Sequence, residues 1–151
     1  KKIVNEFSNT FNLDNLLVLP FQGESVLPFS LAAGDLSVVF DSFASGGENE
    51  STASIPSKTY YLMAAGSAIY AESDTSSELN RLISIYDIGL CDSSKDVDRF
   101  VTFIKLCVEN KELTAKFQEN SRKASADFTR ENAGLLFQGI VGNSDENPSP
   151  Q

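Results

Sequence analysis

The sequence predicts an α/β fold: a parallel sheet with helices on both faces, followed by a helical C-terminal third. Two observations carry this. First, four short apolar runs stand out, at residues 16–19 (LLVL), 36–40 (LSVVF), 68–71 (AIYA) and 88–91 (IGLC). Each is too short for a helix and is continuous rather than alternating, as strands buried on both faces are. Second, stretches with helical spacing separate them, and such alternation builds a parallel sheet.

The elements follow in order. Residues 2–11 and 25–33 are expected helices on either side of the first run. Residues 57–65 form the next, and Gly66 stops it because glycine enters the left-handed region freely. Residues 76–86 carry Leu79, Leu82, Ile83 and Tyr86 at helical spacing. Asp96 is the expected N-cap of a helix on which Val97, Phe100, Val101, Ile104, Cys107 and Val108 form one apolar stripe. A helix over 111–127 turns Leu113, Phe117 and Ala124 inward, and another over 130–140 carries Leu135, Leu136 and Ile140. Core packing accounts for these stripes. Residues 1–142 read as one domain and residues 143–151 (NSDENPSPQ) as a disordered tail.

Composition narrows the function. A net charge of −9 repels nucleic-acid backbones and anionic membrane surfaces, so no nucleic-acid partner is expected. A local phosphate site stays open, because backbone N–H groups and one lysine act at short range. The chain has no histidine, which excludes Ser-His-Asp and Cys-His nucleophile systems and any histidine-ligated zinc. Cys91 and Cys107 sit in apolar contexts and read as buried, reduced thiols of a cytoplasmic protein, with a disulfide left open. No apolar run is long enough to span a membrane, and the opening KKIVNEFSNTF lacks the apolar stretch of a signal peptide.

Chemistry concentrates after the second run. Residues 41–56 (DSFASGGENESTASIP) form one long loop, leading from a strand end to a helix start. Ligands of open α/β sheets bind at such places, although a mobile linker would have the same composition. Pro56 suits a helix entrance and Ser57 can cap it. The free N–H groups of the first turn favour an anion, and Lys58 adds a positive charge. Neither GxxxxGK nor GxGxxG is present. Taken alone, the segment also fits an ordinary capped helix with an exposed lysine.

Several segments in order resemble family 4 glycosyltransferases of the GT-B fold, in their C-terminal nucleotide-binding domain. The likeness is to the branch that builds bacterial surface polysaccharides. Val18-Leu19-Pro20-Phe21-Gln22 resembles a strand end of the form "flp-x-q", and the segment from Leu27-Pro28 to Asp35-Leu36 resembles "lp…la-x-aDv". Ile55-Pro56-Ser57-Lys58, followed by Met63-Ala64-Ala65-Gly66, resembles "vPSK…mAaG". Ser77-Glu78-Leu79 and Phe128-Thr129-Arg130-Glu131-Asn132 resemble "se-l" and "fs-x-en". The resemblance covers residues 3–141; its order and spacing carry more weight than any one motif.

The resemblance implies a Rossmann-like sheet, part of a GT-B C-terminal domain. It implies retaining transfer of a sugar from a nucleotide-diphosphate donor to an acceptor hydroxyl, with no metal and no cofactor beyond that donor substrate. Lys58 would stabilise the departing diphosphate, received with Ser57 and Thr59 at the helix start. Pro20, Phe21 and Gln22 would lie near the nucleobase, and Gly46 and Gly47 near the donor sugar. The family's paired glutamates fall on Ala53 and Tyr61, so Tyr61 stands where the ribose ligand is expected. The family's acceptor-binding N-terminal domain, two further strands and an Arg/Lys pair have no counterpart in this sequence, so the chain reads as a fragment, inactive alone. Lipid-linked acceptors of such enzymes imply a place at the inner face of the membrane. Two alternatives stay open: a nucleotide-sugar epimerase, which would want histidine, and a non-catalytic assembly module, favoured by the missing glutamates.

Overall fold

The computed structural model describes residues 15–17, 19–40, 54–94 and 96–132. Among them lies one three-stranded parallel sheet, β1 (Leu36–Phe40), β2 (Ala68–Glu72) and β3 (Gly89–Asp92), in the spatial order β1-β2-β3. Three of the four apolar runs therefore form the sheet. The run at 16–19 does not: Leu16, Leu17 and Leu19 are exposed and pair with no strand among the described residues. A short apolar run becomes a strand only when a neighbouring strand satisfies its backbone groups. Residues 130–132 of the expected helix over 130–140 are helical; the rest of it, the expected helix at 2–11 and most of the loop at 41–56 lie outside the described residues.

Among the described residues the strands are accompanied by α1 (Leu27–Ala32), α2 (Lys58–Ala65), α3 (Glu78–Tyr86), α4 (Val97–Glu109), α5 (Lys111–Ser125) and a 3₁₀ turn (Ala126–Phe128). Their ends have local causes. Gly66 closes α2 at φ 74°, its N–H directed to the carbonyls of Leu62 and Met63. Ser77 opens α3 by accepting from Asn80 N–H, and Asp96 opens α4 by accepting from Asp98 N–H. The Asp96 cap is the one the sequence predicts.

Strand alternation sends successive side chains to opposite faces. On one face Val39, Ile69 and Ala71 pack with Leu62 and Met63 of α2 and with Leu79, Leu82 and Ile83 of α3. On the other, Ala68 and Tyr70 pack with Phe103 and Cys107 of α4 and Phe117 of α5. The expected helices on both faces are present. With strands in sequence order and parallel, α2 and α3 share a face because both crossovers turn the same way.

The expected stripe on α4 is displaced. Phe103 and Cys107 are buried with Phe100 partly so, whereas Val97 and Val108 are 70% and 60% exposed. Two helical stripes compete on this segment, and the one holding two phenylalanines wins because it buries more apolar area. Phe100 and Phe103 meet the Tyr70 ring at centroid distances of 4.7 and 5.8 Å. On α5, Phe117 and Ala124 are buried and Leu113 partly so, as the spacing predicts. Cys107 is buried, Cys91 is only half-buried with its Sγ 4.0 Å from the Ser73 carbonyl oxygen, and no disulfide joins the two.

Helix α5 closes the amino edge of the sheet. Gln118 Nε2 donates to the Asp35 carbonyl, ahead of β1, at 3.2 Å. Ser121 Oγ donates to the Ser67 carbonyl, ahead of β2, at 2.7 Å. Asn120 Nδ2 donates to the Asp87 carbonyl, ahead of β3, at 2.9 Å, and Lys116 Nζ pairs with the Asp87 carboxylate. One helix thus satisfies the backbone entering every strand. Backbone groups of this kind are costly to leave unpaired.

Candidate functional site

With α5 under the amino edge, the carboxyl edge remains for ligands, the usual place in open parallel sheets. Three helices begin there, because α2, α3 and α4 each follow a strand in the chain. Their N-termini differ. α3 carries a Ser77 cap and Glu78 in its first turn; α4 carries an Asp96 cap and Asp98. Both thereby meet their own dipole with acidic side chains. α2 has no side-chain cap and no acid in its first turn, and it begins with Lys58.

Ser57 does not cap α2 as the sequence suggests. Its backbone is already helical, at φ −56° and ψ −29°, and its side chain makes no capping bond. A capping side chain reaches back to the turn from an extended backbone. The first-turn amides are partly used: Thr59 N–H donates to Pro56 O at 2.9 Å and Tyr60 N–H to Ser57 O at 3.2 Å. Among the described residues, the amides of Ser57 and Lys58 donate to no carbonyl.

Lys58 is exposed and has no ion-pair partner among the described residues. It borders a cavity of 300 Å³ together with Leu27, Leu31, Val38 and Tyr61, with the polar Ser37 at its wall. Apolar surroundings suit the aliphatic stem of a lysine whose ammonium stays in water. Thr59 is fully buried and its hydroxyl makes no hydrogen bond. Tyr61 is 63% exposed on the helix surface.

Of the other predicted residues, Gly46 and Gly47 lie outside the described residues. Among the described residues no strand precedes Pro20, Phe21 and Gln22. Phe21 is 95% exposed, and Gln22 Nε2 turns back to Pro20 O at 2.9 Å. The fold brings Ser57, Lys58, Thr59 and Tyr61 together through one helical turn.

Sequence reasoning missed Asp92. It ends β3 with its side chain buried, and its Oδ1 accepts from Ser94 N–H at 2.9 Å. Arg99 Nε stands 3.3 Å from Oδ2, an ion pair without hydrogen-bond alignment, so Oδ2 receives no hydrogen bond. An acid closing an apolar strand was the only available signal. The Ser94 N–H holds the Asp92 carboxyl below its ordinary range; burial opposes this, and Arg99 assists. A depressed folded value stabilises above the unfolded carboxylate range and is lost as pH falls through the folded value. Urea unfolding from about pH 6 to about pH 3 is therefore expected to show stability falling with acid. Asp92→Asn should flatten that fall; an unchanged acid limb would remove Asp92 from the account.

Two tyrosines shift the other way. Tyr86 is raised chiefly because its hydroxyl donates to the Asp127 carboxylate at 2.9 Å. Tyr70 is raised chiefly by burial, with Asp92 and Glu72 adding. Among the described residues, no group of three or more His, Cys, Asp or Glu could hold a metal ion. None of the described helices is long and apolar enough to cross a membrane.

The fold defines a class: a parallel α/β domain, its three-stranded sheet packed between helices on both faces. The sequence matches no family model, and neither the curated proteins nor the solved structures yield a match.

Proposed function

We propose that this chain is the donor-nucleotide-binding part of a retaining glycosyltransferase. Its sheet would be the β-α-β-α-β half of a Rossmann-like domain. One observation carries the reading. Of the three helix N-termini on the carboxyl edge, α2 has no acid in its first turn and presents Lys58, with the amides of Ser57 and Lys58 unpaired among the described residues. That is an arrangement for a diphosphate. The ordered resemblance to family 4 transferases supplies the substrate class.

In the proposed reaction an acceptor hydroxyl attacks the anomeric carbon of the donor sugar, and the nucleoside diphosphate departs. Lys58 and the amides of Ser57 and Lys58 would stabilise charge growing on the leaving oxygen, an electrostatic contribution. Tyr61 offers one hydroxyl where a carboxylate would hold two ribose hydroxyls, which favours a weak nucleotide site. The acceptor, the domain that would bind it and a place at the cytoplasmic membrane face belong to the same proposal.

Thermal unfolding of the chain with UDP, GDP, ADP and their sugar conjugates tests it. Binding to the folded state stabilises it by about 2.7 kcal/mol at a hundredfold excess over Kd. A selective rise with one nucleotide is expected. Lys58→Ala should then weaken that nucleotide by about 1.5–3 kcal/mol, the range for a hydrogen bond to a charged group. Equal binding by the variant would remove Lys58 from the site. No rise with any nucleotide would favour the non-catalytic reading.

A further inference from the structure

We infer that the cavity between α2 and the 3₁₀ turn binds a neutral saccharide ring. Its volume is 630 Å³, within the ordinary range for small-molecule sites. Tyr60, Tyr61 and Phe128 give it an aromatic wall. Phe128 is held in place by Tyr60 at a centroid distance of 5.0 Å and by Tyr86 at 5.8 Å, and it remains 41% exposed. Aromatic faces are electron-rich and attract the C–H face of a sugar ring.

The polar groups around this wall are partly committed and partly open. Tyr86 Oη donates to Asp127 Oδ2, which anchors the carboxylate and leaves Oδ1 to accept from a ligand hydroxyl. Asn132 Nδ2 donates to the Ala126 carbonyl at 2.9 Å, leaving its Oδ1 as acceptor. Asn132 N–H donates to Thr129 Oγ1 at 3.2 Å, leaving the Thr129 proton to donate. The Ser57 hydroxyl is free of capping duty. An apolar plate with anchored acceptors and donors at its border matches a ring with one C–H face and hydroxyls around its edge. Among the described lining residues the charged one is Asp127, which disfavours phosphates and other anions.

This site adjoins the proposed diphosphate cradle through Ser57 and Tyr61, yet it requires no nucleotide. The test is an amide NMR titration of the whole chain. The probes are glucose, galactose, mannose, N-acetylglucosamine and their disaccharides, with uridine, guanosine, adenosine and UDP in parallel. A saccharide is expected to move the amides of residues 57–61 and 127–132. Tyr61→Ala and Asp127→Asn should each weaken it about tenfold or more, the effect of losing 1.4 kcal/mol or more. Both positions are exposed, and circular dichroism verifies that the variants fold. Silence with every saccharide, unchanged binding by both variants, or nucleosides binding in place of saccharides would overturn the inference. Saccharide binding with no response to UDP would keep it and remove UDP as the donor; UDP binding with no saccharide response would overturn it and keep the donor reading.

Discussion

Gly89→Ala is expected to destabilise the protein by at least about 3 kcal/mol, in the severe tail of point substitutions. Gly89 pairs with Ile69 across the β2–β3 ladder, and a Cβ built on it would stand 1.8 Å from the Ile69 carbonyl oxygen. That obstacle is backbone in the central strand, so it cannot swing aside. Its φ of 155° adds strain for any side chain. Relief requires β3 to move off β2, which would disrupt a ladder from Gly89 to Asp92 and uncover Ile88. Urea unfolding measures this. The control is Gly34→Ala, whose Cβ would meet its nearest atom at an ordinary 3.7 Å. A loss at Gly89 no larger than at Gly34 would show that the strands accommodate a methyl group.

Phe103→Ala comes next, with an expected loss of about 3–5 kcal/mol, the usual cost of emptying a buried aromatic site. Phe103 is 6% exposed and lies between Tyr70 of β2 and Phe117 of α5, at centroid distances of 5.8 and 6.2 Å. It joins sheet, α4 and α5. Val97→Ala on the same helix should change stability by less than about 0.5 kcal/mol, because Val97 is largely exposed. Comparable losses at the two positions would mean that α4 presents the face its first stripe suggests. Denaturant midpoints with unchanged slopes give the comparison directly.

These variants separate what was legible in the chain from what was not. Val38 and Val39, Ile69 and Tyr70, and Leu90 and Cys91 mark their strands because continuous apolar runs with helical stretches between them have few other folded outcomes. Gly66 and Asp96 mark helix ends because their chemistry is local. The α2 turn was legible for the same reason: Ser57, Lys58 and Thr59 are consecutive. Asp92 was hidden, because its burial depends on Arg99 and on where β3 ends.

Sequence by itself determined the α/β class, the three strands, the helix ends and the presence of a lysine at an acid-free helix start. Each of these depends on near neighbours along the chain. Tertiary structure alone decided that Leu16, Leu17 and Leu19 join no strand among the described residues, that Phe103 rather than Val97 faces the sheet, and that the Ser57 hydroxyl makes no capping bond. It also decided that Gln118, Asn120 and Ser121 close the amino edge and that Tyr60, Asp127 and Phe128 share a cavity. In each case the deciding partner is distant in sequence. Competing stripes and unpaired backbone groups are resolved only by which distant surface offers more burial and more hydrogen bonds.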